Sequence, residues 1–137
     1  LVGIDLSPRM ISEARARGIY DELIASDILT VSAVPEPSSF ELVPAADVFI
    51  YVGDLGPAMG QIARLLRPGG HAAFSTETMA GEGYCLDITL RYVHTPGYVR
   101  DTVTAAGLAV RAHRQGELRR ERERTVVGDL FVVTRDR

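Results

Sequence analysis

Short apolar segments alternate with helical ones along most of the chain, and three of the apolar segments stop at an aspartate. That alternation leaves few folds open. A strand, a helix and a second strand in one sheet put the two strands parallel, and a parallel sheet needs helices to cover it. Residues 1–5 (LVGID) read as a short buried strand ending at Asp5. Ser7-Pro8 is a helix cap followed by proline at the first helical position, so a helix is expected over residues 8–17, with Met10, Ile11 and Ala14 as its apolar stripe and Gly18 as its stop. Residues 22–26 (ELIAS) form a second strand that ends at Asp27, and residues 35–39 a loop. A third strand over 40–46 ends at Asp47, with Pro44 as a defect because proline removes a ladder donor.

A helix follows over 55–66, with Met59, Ile62, Ala63 and Leu66 on one face. Residues 67–70 (RPGG) read as a turn and 71–75 (HAAFS) as a fourth strand. Residues 76–94 read as a long polar loop with aromatics, or as holding a short helix. Thr95-Pro96 opens another helix, which Gly107 stops. Residues 108–118 and 125–134 read as two strands with no room for a crossover, hence antiparallel. The expected fold is α/β: a mainly parallel sheet with helices on both faces and an antiparallel hairpin at its C-terminal end.

The 137 residues suit one domain with a core of its own. Hydrophobic residues make up 46 % and the net charge is −3, which argues against DNA or RNA as the main partner. Cys85 is the single cysteine, so no internal disulfide or zinc cluster forms and the cytoplasm is the default location. His71, His94 and His113 lack metal-ligand spacing, and no metal is expected. No apolar run approaches the roughly 20 residues of a membrane helix. The chain opens on Leu1 inside an apolar segment, with no initiator methionine, which reads as residues upstream removed or not included.

Ligands of parallel sheets bind beyond the carboxyl ends of the strands. A carboxylate at one strand end suits two ribose hydroxyls, and one at the neighbouring end can accept from an adenine amine, with Leu6, Met10 and Ile28 able to sandwich the base. Singly, each aspartate is more often a cap or turn residue; three at successive strand ends favour a binding role for the set.

On these segments the chain resembles a known family. Residues 3–27 (GIDLSPRMISEARARGIYDELIASD), 40–55 (FELVPAADVFIYVGDL) and 63–77 (ARLLRPGGHAAFSTE), with the terminal hairpin, are similar to the motifs and fold of class I S-adenosylmethionine-dependent methyltransferases of the Rossmann-like class. Residues 83–86 (GYCL) and 91–100 (RYVHTPGYVR) resemble a bacterial subgroup often fused to tetratricopeptide repeats. The resemblance implies S-adenosylmethionine as cofactor. Asp5 would hold the ribose hydroxyls beside Leu6 and Met10. Asp27 would meet the adenine amine beside Ile28. Ala46, Asp47 and Val48 would line the methionine part, and Tyr51 would face the transferred methyl group.

The same resemblance implies a first strand and a glycine-rich loop before Leu1, so residues 1–137 are expected to be the C-terminal portion of a single methyltransferase domain. Without that strand, fold and activity should be weakened unless a homo-oligomer, a strand-swapped dimer or a rearranged sheet fills the gap. A tetratricopeptide-repeat region elsewhere in the full-length chain is a further expectation.

The expected reaction is methyl transfer to a small or medium organic acceptor, with His94, Glu77 and Asp47 as candidate general bases. Tyr84, Tyr92 and Tyr98 would form a substrate lid or cover the sheet end. Residues 119–124 (RRERER) read as a solvated turn and Cys85 as a bystander. Two other readings remain: a fragment of a nicotinamide-dependent oxidoreductase, and a non-catalytic remnant of the methyltransferase fold.

Overall fold

The computed structural model describes residues 1–30 and 37–136. Residues 35 and 36 of the expected loop lie outside the described residues. The chain falls into two compact units, Leu1–Pro37 and Ser38–Arg137.

The first unit is a strand–helix–strand. β1 (Val2–Asp5) and β2 (Glu22–Ala25) pair in parallel, with Asp5 opposite Ala25. α1 (Pro8–Ala16) starts as expected: the Ser7 hydroxyl accepts from the Met10 amide at 3.4 Å, Pro8 follows, and Gly18 takes φ 65° just beyond the end. Ile11 is the buried residue of this helix, which packs on both strands.

The second unit carries β3 (Phe40–Ala45), α2 (Gly56–Leu65), β4 (Leu66–Thr78), β5 (Tyr84–Leu86), β6 (Tyr92–His94), α3 (Pro96–Ala105), β7 (Leu108–Glu121) and β8 (Arg124–Arg135). Phe49–Tyr51 forms a 3-10 turn. β4 is the hub of the sheet. β8 pairs antiparallel with its residues His71–Glu77, so β3, parallel to its first half, and β6, parallel at Glu77–Thr78, must share the opposite edge. The β5–β6 hairpin therefore stands beyond the carboxyl end of β3, beside the residues that follow that strand.

The fold is α/β with a mixed sheet. The expected mainly parallel sheet is corrected: among the described residues three pairings are parallel (β1–β2, β3–β4, β4–β6) and three antiparallel (β4–β8, β5–β6, β7–β8), and the long β7–β8 hairpin makes the antiparallel ladders longer. The expected turn at Arg67–Gly70 lies within the span of β4: Leu66 pairs with Phe40 and His71 with Leu42, so four residues of β4 stand against one of β3, and Gly69 turns the chain at φ 79°. A further expectation changes. The long loop 76–94 holds neither open loop throughout nor a helix, but the β5–β6 hairpin. Pro44 keeps its place because, among the described residues, β3 has one neighbour, β4. Among the described residues β1 likewise pairs with β2 alone.

The core of this unit is aromatic. Phe74 of β4 meets Phe49 edge-on at 5.3 Å and stacks on Phe131 of β8 at 5.5 Å. Leu55, Met59, Leu66, Val99, Val103 and Val133 are buried around them. Gly128 on β8 is a point of close approach: a methyl group there would press on the Thr76 carbonyl oxygen and on Leu118. Because the first of these is backbone in the central strand, Gly128→Ala should separate β4 from β8 and destabilise by about 1–3 kcal/mol. Urea unfolding midpoints of the two proteins measure this; equal midpoints refute it.

Candidate functional site

In the first unit, Asp5 closes β1 and Asp27 lies two residues beyond β2, so both stand at the carboxyl end of the parallel pair. The chain fixes each carboxylate by one oxygen. Asp5 Oδ1 accepts from the Ser7 amide at 2.7 Å, and Asp27 Oδ1 from the Leu29 amide at 2.8 Å. Among the described residues neither Oδ2 accepts a hydrogen bond. The strand ends are joined by the Ser26 amide, which donates to the Asp5 carbonyl at 3.1 Å. Leu6, next in sequence to Asp5, and Met10, in the first turn of α1, are 71 % and 50 % exposed, and Ile28, next to Asp27, is half-buried. A carboxylate with one oxygen anchored and one open, next to bare apolar side chains, is suited to a polar hydroxylated group attached to a flat apolar one.

In the second unit, Ala46, Asp47 and Val48 follow β3 directly. Asp47 turns the chain at φ 52°, a left-handed conformation that aspartate tolerates better than most residues. Its amide donates to Ser75 Oγ at 3.1 Å, and its carboxylate accepts from Arg119 Nη1 at 2.6 Å. Tyr51, at the end of the 3-10 turn, is 71 % exposed while its neighbours Phe49 and Ile50 are buried.

Arg119 was not singled out by the sequence. Its guanidinium reaches three carboxylates: Asp47, Glu77 and, through Nε at 2.8 Å, Glu121. Arg91 of the β5–β6 hairpin completes the group, binding Glu121 at 2.6 Å and approaching Glu77 at 3.7 Å. The two arginines hold the Glu121 carboxyl down at about 2; burial works against the charge on Arg119, but Glu121, Glu77 and Asp47 together push its guanidinium above the usual value. The reading of residues 119–124 as a solvated turn is corrected at Arg119 and Glu121, which serve this network.

His94 departs furthest from expectation. It is fully buried, and Nε2 lies 2.9 Å from the Val52 carbonyl oxygen and 3.0 Å from that of Gly53. Carbonyls only accept, so Nε2 carries the proton and donates to both. Burial holds the imidazole below its usual value of 6.5, although the two carbonyls oppose that shift. A ring so enclosed, with its proton committed to backbone, does not present an open nitrogen to an acceptor. Glu77, buried and bound by Arg119, is in the same position. The expected base role is therefore not what either geometry offers.

The sign of the pH effect follows. The unfolded chain takes up the His94 proton near pH 6.5 and the folded chain does not. The stability contributed by neutral His94 is complete above pH 6.5 and is lost as the pH falls below it toward the depressed folded value. The melting temperature should drop between pH 7 and pH 5 by more in the wild type than in His94→Gln, and parallel drops would refute it.

Among the described residues no group of three His, Cys, Asp or Glu side chains could hold a metal ion. No helix among them is long and apolar enough to cross a membrane.

Residues 1–74 match the family described as methyltransferase domain. No curated protein matches the chain in sequence. Solved structures match it in fold. A SAM-dependent methyltransferase from Methanosarcina mazei superposes with a TM-score of 0.75 at 16 % identity, over 98 % of this chain and 81 % of its own. An S-adenosylmethionine-dependent methyltransferase from Mesorhizobium loti gives 0.74 at 21 % identity, over 98 % and 79 %. The N-methyltransferase NodS from Bradyrhizobium japonicum, solved with S-adenosyl-L-homocysteine, gives 0.71 at 25 % identity, over 100 % of this chain and 67 % of NodS.

Proposed function

The chain belongs to the methyltransferase domain family, and on that premise we propose that residues 1–137 are the C-terminal portion of a single domain that transfers a methyl group from S-adenosylmethionine to a small or medium organic acceptor. The observation that carries the reading is Asp5: Oδ1 anchored by Ser7, Oδ2 open, Leu6 and Met10 bare beside it. That donor set fits an adenosine, whose ribose diol donates to a carboxylate and whose base packs on apolar side chains.

Asp5 takes the ribose hydroxyls. Asp27 takes the adenine amine, with Leu6, Met10 and Ile28 on the ring. Ala46, Asp47 and Val48 line the methionine part, the Asp47 carboxylate kept in place by Arg119. Tyr51 faces the acceptor. Bound S-adenosylmethionine supplies a methyl group on a sulfonium, an already activated leaving group. The chain's own contribution is then to hold and align, which accounts for much of the rate of a direct displacement. With His94 and Glu77 committed elsewhere and the Asp47 carboxylate bound to Arg119, the acceptors that suit this site attack without first losing a proton to a side chain.

Residues 83–86 and 91–100 support membership of the tetratricopeptide-linked subgroup, and the lone free Cys85 supports a cytoplasmic location. β1 and β3, each with a single neighbour among the described residues, support weakened activity of residues 1–137 by themselves and completion by a further strand, from upstream or from a second copy.

Calorimetric titration of S-adenosylhomocysteine, with NADH in parallel, tests the reading on residues 1–137 and on a chain extended upstream. Micromolar binding of the first ligand alone is expected in the extended chain. Binding of NADH instead favours the oxidoreductase reading, and binding of neither favours a non-catalytic remnant.

A further inference from the structure

Four consecutive residues, Val52–Leu55, connect the 3-10 turn to α2, and side chains from the segment 84–98 grip all four. His94 donates from Nε2 to the carbonyls of Val52 and Gly53. The Tyr98 hydroxyl accepts from the Leu55 amide at 2.9 Å and donates to Asp54 Oδ1 at 3.2 Å. Gly53 sits between two rings: a methyl group there would come within 2.7 Å of Tyr92 and 2.8 Å of Tyr84. The rings also hold one another, His94 stacking on Tyr98 at 5.9 Å and Tyr84 lying 5.1 Å from Tyr98.

Two details separate this arrangement from ordinary packing. Leu55 at the cap position of α2 offers no side-chain acceptor, and Asp54 Oδ1 before it takes the Gly56 amide, at 2.9 Å. The hydroxyl of Tyr98, from another helix, satisfies the amide that would otherwise be left without a partner. His94 is fully buried with Nδ1 lacking a partner among the described residues, an unfavourable state for a polar group. A phenylalanine would fill the space without that penalty. The imidazole therefore earns its place by Nε2, which fixes two backbone carbonyls at once.

Tyr51 immediately precedes the gripped residues. On its other side Phe49 and Ile50 are sunk in the core. An exposed tyrosine on a short turn would swing freely, yet here both flanks are fixed.

We propose that His94 and Tyr98 are positioning residues, which fix Val52–Leu55 and thereby set the direction in which Tyr51 faces the acceptor and the placement of Asp47 and Val48 before it. The tyrosines of the segment 84–98 are then the frame of the site and not a lid over it. The link to cofactor and acceptor rests on the methyl-transfer reading; the grip itself does not.

The test uses the full-length protein and three variants: His94→Phe, which keeps the ring and loses the donor; His94→Gln, which keeps a donor; and Tyr98→Phe, which loses one hydroxyl. Amide hydrogen exchange reads the loop, S-adenosylhomocysteine titration reads the site, and circular dichroism sets a temperature at which each variant is folded. Tyr98→Phe should speed exchange of the Leu55 amide by about tenfold, and His94→Phe should speed exchange across the loop similarly, because each loses a hydrogen bond. Both should weaken S-adenosylhomocysteine binding by about tenfold, with His94→Gln within about threefold of wild type.

Wild-type affinity in His94→Phe and Tyr98→Phe overturns the proposal. So does equal loss in His94→Gln and His94→Phe, which would make the effect one of packing. If His94→Phe does not fold, Tyr98→Phe and His94→Gln carry the same decision. Should wild-type protein bind no S-adenosylhomocysteine, the methyl-transfer reading falls, and unchanged Leu55 exchange in Tyr98→Phe then overturns the grip as well.

Discussion

Asp5→Ala should weaken binding of S-adenosylhomocysteine by about 30-fold or more. A hydrogen bond to a charged group contributes about 1.5–3 kcal/mol, and a diol offers the carboxylate two of them. The expected loss is larger than for Asp27→Ala, because one adenine amine presents less to that carboxylate than two hydroxyls present to Asp5. Asp5→Asn should fall between, since its amide oxygen still accepts but without charge. Asp5→Ala also strips the Ser7 amide of its acceptor at 2.7 Å, so a stability loss of about 1 kcal/mol accompanies it. Titration well below the melting temperature of each variant separates the two effects. If Asp5→Ala binds as tightly as wild type, Asp5 is a turn residue and the nucleotide assignment of this strand end is wrong.

Asp5 could be found in the sequence because its signals are local. A short apolar run, an aspartate and then Ser7-Pro8 specify a strand end and a helix start within eight residues, and the structure keeps both. The β5–β6 hairpin carries no such local signal. Its strands have three residues each, too few for an alternating pattern, and its turn is made by Asp87, whose carboxylate accepts from the Thr89 amide at 3.2 Å, and by Leu90 at φ 60°. Nothing about a leucine announces a left-handed turn. At residues 67–70 Pro-Gly-Gly does mark a turn, but one set inside the ladder, between the Leu66–Phe40 and His71–Leu42 pairs.

Side-chain partners far apart in sequence were the least legible. In the sequence His94 reads as a candidate base in a polar loop, because its acceptors lie 42 and 41 positions away. Charge alternation over 119–124 predicts a solvated face, and Arg120 fits, pairing with Glu117 in the open. Arg119 points to the other side of the strand, as the period of two along β7 requires, and there it finds Asp47, 72 positions earlier. A period-two reading that extended β7 past residue 118 would have separated the two faces.

Replacing Arg119 is the sharper test of that network. The Arg119 side chain is 20 % exposed and that of Glu77 10 %, so this pair is little screened by water. Removing one partner of such a pair leaves the other charge without compensation, and Arg119→Ala should cost about 3 kcal/mol. Arg119→Lys should recover only part, because one ammonium cannot direct bonds to three carboxylates as a planar guanidinium does. In the double variant with Glu77→Gln the cost should be smaller than the sum of the two single ones, since the stranded charge is gone. Acid supplies an independent check. Glu121 is held at about 2 against a usual 4.5, so the stability it contributes is complete above pH 4.5 and is lost as the pH falls toward 2. Urea unfolding at pH 7 and pH 3 should show a wide gap between wild type and Arg119→Ala at the first pH and a narrow one at the second. An Arg119→Ala protein with the wild-type midpoint at pH 7 would mean that the guanidinium only decorates the strand end, and that Asp47 keeps its left-handed turn through the Ser75 hydroxyl alone.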